Sequence, residues 1–570
     1  MKENQSKWVT YPPLPPEIRT EFQKFPPVLQ QLLYNRGFEL CSKAERFLVA
    51  RLPEEVKGTQ PMGVDQASDR LLKAISNGEH IAIYGDFDVD GITSTALLKS
   101  SLEELDGHVS TYIPHRVDEG YGLNPKAIQA LHNKGVDLLI TVDCGIRAIT
   151  EIEYAKKIGL DVIITDHHQP GKTLPKADLI INPNQPLDPY PDKDLAGVGV
   201  AYKLLHKLAE LKPRLNPEKY LDLVSLGTIA DLVPLIGENR HYVRKGLRYL
   251  KKPHRQGILA LMGVSGLSPE TIQASDISFQ LGPRINAAGR LSSANLALDL
   301  LIEKDVNRAG LLAQKIEILN NKRKDLMHDV KIKAENMALV DDEIPSILFA
   351  FHPDFDQGIV GLAAGYLTEK YHRPAIVGKQ EDEVTIASCR SIDEFNIINA
   401  LDKNKKLFLS YGGHPAAAGF KIKNENISVL KDRLTQFSST TLEKINLTPT
   451  LTADMELSFN DLDRELLKQI NMLAPTGMGN PQPQFISYDI HIHKCRQVGK
   501  QNSHLKLELS DGSATFDAIA FRKGNLFDSL PSRVDILYKF EENVYRGRSR
   551  LQLNIKDIRP AISLSPQTDI

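Results

Sequence analysis

From about residue 81 the chain alternates regularly between short apolar runs and segments with apolar residues at helical spacing. Apolar runs at 81–84, 109–113, 136–142, 161–165 and 178–182 read as strands, and most of the intervals between them read as helices, which predicts a mostly parallel α/β sheet. Residues 92–100 hold no glycine or proline and continue the first strand into a helix. A second uninterrupted stretch, 311–340, carries Leu312, Ile316, Ile318, Leu319 and Leu326 at helical spacing. At 1.5 Å per residue it makes a helix of about 45 Å, either setting two domains apart across a groove or serving as a core helix with a charged face at Lys322-Arg-Lys324. Near the end the period changes to two, in 505–509, 516–521 and 551–556, which suggests a small barrel such as an OB-fold.

The polar residues that end these runs give the α/β region its chemistry. The first run stops at Gly85 and is followed by Asp86, Asp88 and Asp90; the third ends in Asp143; the fourth ends in Asp166-His167-His168. In a doubly wound sheet all three sets emerge at the C-terminal edge, where such folds bind ligands, and Asp231 in Ala-Asp-Leu-Val-Pro is a fourth candidate. Carboxylates this close raise one another's pKa unless a cation neutralises them. A calcium loop fits Asp86-x-Asp88-x-Asp90-Gly91 but requires a glutamate where Leu97 stands, and a helix where the chain has a strand. Aspartates with one or two imidazoles favour manganese or magnesium over zinc. Four aspartates and a histidine suffice for two ions bridged by one carboxylate, the arrangement that generates hydroxide and stabilises both oxygens of an in-line phosphoryl displacement. Asp143, which follows a central strand without a neighbouring carboxylate, is the expected bridge. The residues therefore predict a metal-dependent phosphoesterase.

Composition narrows this little. At 570 residues the chain exceeds one core and should divide into three or four domains, and 41% hydrophobic with 25% charged residues is ordinary for globular proteins. No run of about eighteen apolar residues exists and the N-terminus lacks an apolar signal core, so a cytoplasmic protein without a membrane partner is expected. The single cysteines Cys41, Cys144, Cys389 and Cys495 indicate neither zinc nor a disulfide framework. Net charge is −2, but residues 491–560 carry 13 Lys+Arg against 8 Asp+Glu, a local +5 that leaves −7 elsewhere. Within that region Lys500, Lys506, Tyr545, Arg546, Arg548 and Arg550 supply the basic and aromatic groups that bind single strands by charge and stacking.

Asp166-His-His with the upstream Gly-Asp-Phe-Asp-Val-Asp-Gly resembles the DHH phosphoesterase superfamily, and Gly412-Gly-His-Pro-Ala-Ala-Ala-Gly419 resembles the glycine-rich motif of its associated DHHA1 domain. The stretches 114–123, 281–291 and 477–485 are similar to those of the RecJ single-strand-specific exonucleases, and the resemblance spans about 75–560. It implies two Mn2+ or Mg2+ ions on Asp88, Asp90, Asp143, His167 and Asp231, with Asp86, Asp166 and His168 in the catalytic machinery and His168 beside the scissile phosphate. It also implies substrate contacts from His115, Arg116, Tyr121, Arg284, Asn286, Arg290, Ser388, Arg390, Gly412, Gly413 and His414, with Arg290, Ser388 and Arg390 gripping a 5′ phosphate. Two positions depart from the family pattern. Tyr84 replaces a histidine common among relatives, with Asp86 placed to compensate, and Asp356 replaces an expected histidine.

The expected architecture is α/β multidomain: an N-terminal extension (1–70) packed on the segment after it, a parallel-sheet DHH domain (71–305), a connecting helix (306–340), a second α/β DHHA1-type domain (341–445) and an OB-fold-like β-barrel with tail (446–570). The expected activity is 5′→3′ hydrolysis of single-stranded DNA to nucleoside 5′-monophosphates in recombination and repair, by a monomer whose partners, by resemblance, include a single-strand-binding protein and a helicase. The alternatives are a DHH-family phosphodiesterase for short oligonucleotides or cyclic dinucleotides, and an inactive scaffold, against which the retained aspartates speak.

Overall fold

A computed structural model of the chain describes residues 6–116, 118–339, 343–545 and 548–561. They form two compact units, one of Glu54–Pro234 with Glu238–Leu447 and one of Met1–Pro53 with Leu235–Gly237 and Thr448–Ile570.

The larger unit opens with the parallel sheet. Its strands are β1 (His80–Gly85), β2 (His108–Tyr112), β3 (Leu138–Val142), β4 (Asp161–Thr165) and β5 (Leu179–Ile181), in the order β2-β1-β3-β4-β5 and all parallel. The chain moves from β1 to one neighbour and then crosses back to the other, so strand order reverses beside β1, the place where ligands bind in doubly wound sheets. Every residue of β3 is buried, as expected for a strand covered on both faces.

Helix α1 (Val89–Glu104) starts earlier than its apolar pattern suggests, because Asp88 caps it by accepting from the amides of Asp90 and Gly91 at 2.9 and 3.1 Å. Gly91 is required here: a Cβ would lie 2.5 Å from the carbonyl oxygen of Asp86. Helices α2 (Gly197–Leu211), α3 (Leu221–Ala230) and α4 (Gly282–Leu291) come next, and the N-terminus of α2 and the C-terminus of α3 approach the same sheet edge.

The long helix, α5 (Val306–Ala338), has 33 residues, about 50 Å, and Asp305 caps it by accepting from the Arg308 amide at 2.8 Å. Val340 lies outside the described residues. Its first half buries Ala309, Leu312, Ala313 and Ile316, while Met327, Val330, Ala334 and Ala338 of its second half enter another core. That core belongs to a mixed sheet of β6 (Leu348–His352), β7 (Ala375–Gln380), β8 (Val384–Arg390), β9 (Phe408–His414) and β10 (Ala417–Lys423), ordered β9-β10-β8-β7-β6, with α6 (Val360–Tyr371) packed in it.

The smaller unit contains a closed five-stranded barrel of β11 (Phe485–Val498), β12 (His504–Ser510), β13 (Thr515–Ala520), β14 (Arg533–Tyr545) and β15 (Arg548–Pro560), in the order β11-β12-β13-β15-β14 and back to β11. Of the N-terminal extension, the part up to Pro53 belongs with it, while residues from Glu54 on belong to the larger unit, where the Met62 amide donates to Asp188 at 2.9 Å. Strand Lys7–Thr10 pairs in parallel with Thr450–Ala453, and Phe22, Leu29, Leu32, Leu33 and Phe47 share one apolar cluster with Leu466, Leu467 and Ile470 and with Phe485, Leu507 and Tyr538 of the barrel. The nearly buried pair of Arg36 and Asp454, 3.3 Å apart, ties the two segments further, and Asn35 donates to the carbonyl of Asp454 at 2.9 Å. The apolar face of helix Pro27–Tyr34 finds its counterpart some 430 residues away, so no local pattern points to it.

Candidate metal centre and substrate cleft

The ends of β1, β3 and β4 place Asp86, Asp143 and Asp166 at one sheet edge, all buried. Asp143 holds a left-handed backbone, φ +59°, a conformation in which few non-glycine residues persist without support from their surroundings. Support comes from its amide, which donates to the Thr165 carbonyl at 3.0 Å, and from α2, whose Gly197 lies so close that a Cβ there would stand 2.7 Å from the Asp143 side chain. Asp90, in the first turn of α1, accepts from the amides of Gly197 at 2.6 Å and Val198 at 2.9 Å. The positive end of α2 thereby fixes one carboxylate and abuts another.

Three sets of ligand-type atoms come together at this edge: Asp86, Asp88 and Asp143; Asp90, His167 and Asp231; and Asp143, His167 and His168, each within 4.8 Å of one another. Nε2 of His167 is 3.2 Å from Oδ1 of Asp143, 3.6 Å from Oδ2 of Asp231 and 4.0 Å from Oδ2 of Asp90. Oδ1 of Asp86, Oδ1 of Asp143 and Nε2 of His167 are buried without hydrogen-bond partners. Burial, reinforced by the neighbouring carboxylates, pushes Asp90 up to about 7 and Asp231 to about 9, and raises Asp86 and Asp143 in the same direction. Burial and the neighbouring His168 push His167 down to about 4, leaving a neutral imidazole. Orphaned buried oxygens and a neutral imidazole nitrogen in adjoining ligand sets fit divalent cations, and an oxygen-rich donor set suits Mn2+ or Mg2+.

Asp166 is built differently. Its Oδ1 accepts from the amides of His167 and His168 at 2.7 and 3.1 Å and meets Nδ1 of His168 at 2.7 Å, while Oδ2 accepts from the Ile146 amide at 3.0 Å. Burial works against its charge, yet these bonds and His168 hold its pKa below the usual carboxylate value. Burial likewise opposes the imidazolium of His168, but the bond to Asp166 outweighs it and raises the group to about 9. Two residues that sequence reasoning missed brace the pair: Asn182 donates to the His168 carbonyl at 2.9 Å and Asn184 to the His167 carbonyl at 2.7 Å. They belong to the Ile-Asn-Pro-Asn stretch after β5, whose only local signal is that of a turn.

The substrate candidates fall into groups. Arg116 lies over the Phe87 ring at 4.6 Å, and Tyr121, 59% exposed, stands edge-on to both Phe87 and His168. A cavity of about 450 Å³ is lined by Tyr121, Gly145, Arg147, His168 and His414 among others, so the end of β9 belongs to the same cleft as the carboxylates. Gly412, Gly413 and His414 are exposed at that end, and Gly413 is left-handed, with φ +149°. Arg290 is half-buried, donates to the Gly358 carbonyl at 3.0 Å and is pushed down to about 9 by desolvation and by the guanidinium groups of Arg116, Arg323 and Arg390. Ser388 and Arg390 stand on β8 against the start of α6, where a Cβ on Gly361 would lie 3.4 Å from the serine Oγ and 3.6 Å from an arginine nitrogen.

Other candidates are already engaged. Arg284 is tied to Glu317 at 2.6 Å and to the Gln280 carbonyl at 3.0 Å, and His115 pairs with Asp118 at 2.7 Å. Asn286 is half-buried on α4. Asp356 accepts from the Gly358 amide at 2.8 Å and so shapes the loop before α6. On the barrel, Lys500 is exposed, whereas Lys506 and Arg550 both approach Asp517, at 3.7 and 3.9 Å. Tyr545 of β14 and Arg548 of β15 pair through their backbones, and their side chains, like Arg546 altogether, lie outside the described residues. No helix among the described residues is long and apolar enough to cross a membrane.

Comparison with known proteins matches three family models: the DHH family N-terminal domain over residues 80–228, the DHHA1 domain over 345–440 and the RecJ OB domain over 453–557. The single-stranded-DNA-specific exonuclease RecJ of Bacillus subtilis is 36% identical over 98% of this chain and 71% of its own length. RecJ of Thermus thermophilus, solved in complex with Mn2+, superposes with a TM-score of 0.84 at 28% identity, covering 99% of this chain and 81% of that one. The Mg2+ complex of the same protein gives 0.79 at 26% identity, over 99% and 80%.

Proposed function

Because the chain belongs to the RecJ family of single-stranded-DNA-specific exonucleases, we propose that it hydrolyses single-stranded DNA from the 5′ end to nucleoside 5′-monophosphates with two divalent ions. The observation that carries this reading is that the unpartnered buried atoms of Asp86, Asp143 and His167 fall in adjoining ligand sets, Asp143 belonging both with Asp86 and with His167. Asp88, Asp90, Asp143, His167 and Asp231 would hold the ions, Asp143 being the residue placed to serve both. When bound, the ions lower the pKa of a water and neutralise charge on the attacking and leaving oxygens.

The protein's own groups do the rest. His168, whose Nδ1 is committed to Asp166, presents a positive imidazole edge to the scissile phosphate; Asp166 is a positioning residue, since both its oxygens are already bonded. Arg290, Ser388 and Arg390, with the start of α6, hold the terminal 5′ phosphate. Water adds to the first phosphodiester, the P–O3′ bond breaks, the 3′ oxygen takes a proton and a nucleoside 5′-monophosphate departs. The shortened strand then carries a new 5′ phosphate, which the same pocket recognises in the next cycle. The enzyme acts as a cytoplasmic monomer that receives strands exposed by a helicase and covered by a single-strand-binding protein. End-labelled single and double strands with Mn2+ or Mg2+ test the reading: mononucleotides should appear from the 5′ end of single strands only, and release from the 3′ end, or none, overturns it.

The site also predicts how metal binding depends on pH. Asp231 and His168 keep their protons to about 9 in the folded protein, so what they contribute to stability without metal is lost as pH rises from about 6.5 to 9, and Asp90 adds to this up to about 7. Below about 6.5 the depressed His167 acts in the opposite direction. Chelated protein should therefore melt at progressively lower temperature from pH 6.5 to 9, by up to about 1.4 kcal/mol per pH unit for each linked proton. The stabilisation by Mn2+ should widen over the same range. A metal-free melting temperature that stays flat or rises there contradicts the assignment.

On the barrel, not all of the basic side chains are free for DNA, since Asp517 engages Lys506 and Arg550. Reversing Lys500 to glutamate should weaken binding of long single strands and lower the salt slope by about one, while leaving hydrolysis of a dinucleotide intact. Asp517→Asn should do the reverse and tighten it. Unchanged affinity and slope in both variants would take the strand off this face.

A further inference from the structure

One cation in the cleft has no task in the hydrolysis described so far. Arg147 is exposed and borders the cavity of about 450 Å³ beside His168, together with Tyr121, Glu151 and His414. Its Nε donates to the Gln169 carbonyl at 2.7 Å, which pins the guanidinium to the residue that follows His168 in the chain. Among the described residues its terminal nitrogens have neither a hydrogen-bond nor an ion-pair partner, although Glu151 borders the same space.

The register of the mixed sheet relates this cavity to the terminal-phosphate group. Arg390 of β8 pairs with Ala417 of β10, and Ala417 pairs in turn with His414 of β9. Directly paired residues point to the same face, and neighbouring strands lie about 4.8 Å apart. Arg390 and His414 therefore stand on one face, two strand spacings or about 10 Å apart, with the Ala417 methyl between them. Yet Arg290, Ser388 and Arg390 do not line the cavity, and of the catalytic groups only Asp166 and His168 do. A strand with its 5′ phosphate at Arg290 and Arg390 and its first phosphodiester beside His168 has used both of those places, and the cavity is the next space it meets. There the strand brings a second nucleoside and a second phosphodiester. Tyr121, with its ring edge-on to His168 at 6.0 Å, offers the nucleoside an aromatic surface, and Arg147 offers the phosphodiester a cation.

We propose that Arg147 binds the second phosphodiester of the strand, between the second and third nucleotides, so that the enzyme prefers strands of three or more nucleotides to dinucleotides. This rests on the reading of Arg290, Ser388 and Arg390 as the terminal-phosphate pocket, with His168 beside the scissile phosphate. A planar guanidinium held through Nε has both terminal nitrogens left for one phosphate, which suits it to this contact better than a flexible ammonium. Arg147 touches no atom that reacts, so it contributes binding that is equal in the ground and transition states, and its loss enters through KM.

Steady-state hydrolysis of 5′-phosphorylated thymidine dinucleotide and trinucleotide by the Mn2+-loaded full-length protein tests this, because only the trinucleotide has a second phosphodiester. In Arg147→Gln the ratio of kcat/KM for the trinucleotide to that for the dinucleotide should fall about tenfold, through KM, as the loss of one charge-assisted contact implies. A trinucleotide with an uncharged methylphosphonate at its second linkage should lose about as much with the wild type, an outcome that does not depend on how any variant folds. Arg147→Gln should cleave the modified and unmodified trinucleotides within about twofold of each other, since the contact is already gone. A ratio that does not move in Arg147→Gln, or losses from the variant and the methylphosphonate that multiply, overturns the inference. If the wild type cleaves 5′-hydroxyl and 5′-phosphate trinucleotides equally fast, the terminal-phosphate assignment falls instead, which separates the two failures.

Discussion

Asp143→Ala should abolish hydrolysis, lowering the rate at least about a thousandfold, which corresponds to about 4 kcal/mol of transition-state stabilisation. Its side chain belongs to a ligand set with Asp86 and Asp88 and stands 3.2 Å from His167, which belongs to another with Asp90 and Asp231, so its removal would take a donor that lies between the two groups, whereas loss of Asp231 or Asp88 takes one from a single set. Calorimetry should show both metal-binding events weakened. Asp143→Asn separates chemistry from backbone strain, because asparagine tolerates the left-handed conformation at φ +59° better than alanine. Both variants should be inactive, and the asparagine variant, freed of a buried carboxylate among carboxylates, should melt higher than the wild type in chelator. Two sites of unchanged affinity in either variant would show that Asp143 does not bridge.

His168→Ala should lower turnover by about 10²–10⁴-fold while leaving metal affinity within a few fold. The imidazole is oriented through Nδ1 by Asp166 and is positively charged at neutral pH, so what it gives up is a positioned cation beside the phosphate, not a metal donor. Asp166→Asn should reproduce much of the turnover loss with His168 present, since the ring would lose both its orientation and the charge that keeps it protonated. The turnover of Asp166→Asn should also decline at lower pH than that of the wild type, because His168 would shed its proton earlier. A loss of metal affinity that precedes the loss of turnover would place His168 on a metal instead.

The distance along the chain between interacting groups decides which of them the residues alone disclose. Asp86, Asp88 and Asp90 announce themselves because all three sit within five residues after an apolar run, and Asp143 and Asp166 because each ends another run. The strand order then brings those ends together, and the periodicity of the runs is sufficient to foresee it. The role of Asp166 is not foreseeable, because its four partners include the Ile146 amide, 20 residues away, and a ring orientation. The amides of Gly197 and Val198 that hold Asp90 are 107 and 108 residues distant, and a glycine before a helix reads as ordinary local structure. The neutralisation of Lys506 and Arg550 by Asp517 needs the alignment of separate barrel strands, which composition cannot supply.

The shared core of the N-terminal extension and the barrel bears on how the protein is made. Helices that bury Phe22, Leu29, Leu32, Leu33 and Phe47 leave the ribosome about 395 residues before the segment that covers them. At about 5–20 residues per second this amounts to roughly 20–80 s in which an apolar surface waits for its partner while the catalytic sheet can already close behind it. The helices that carry Phe22 to Phe47 are therefore among the last elements to be buried, although they precede the catalytic sheet in the chain.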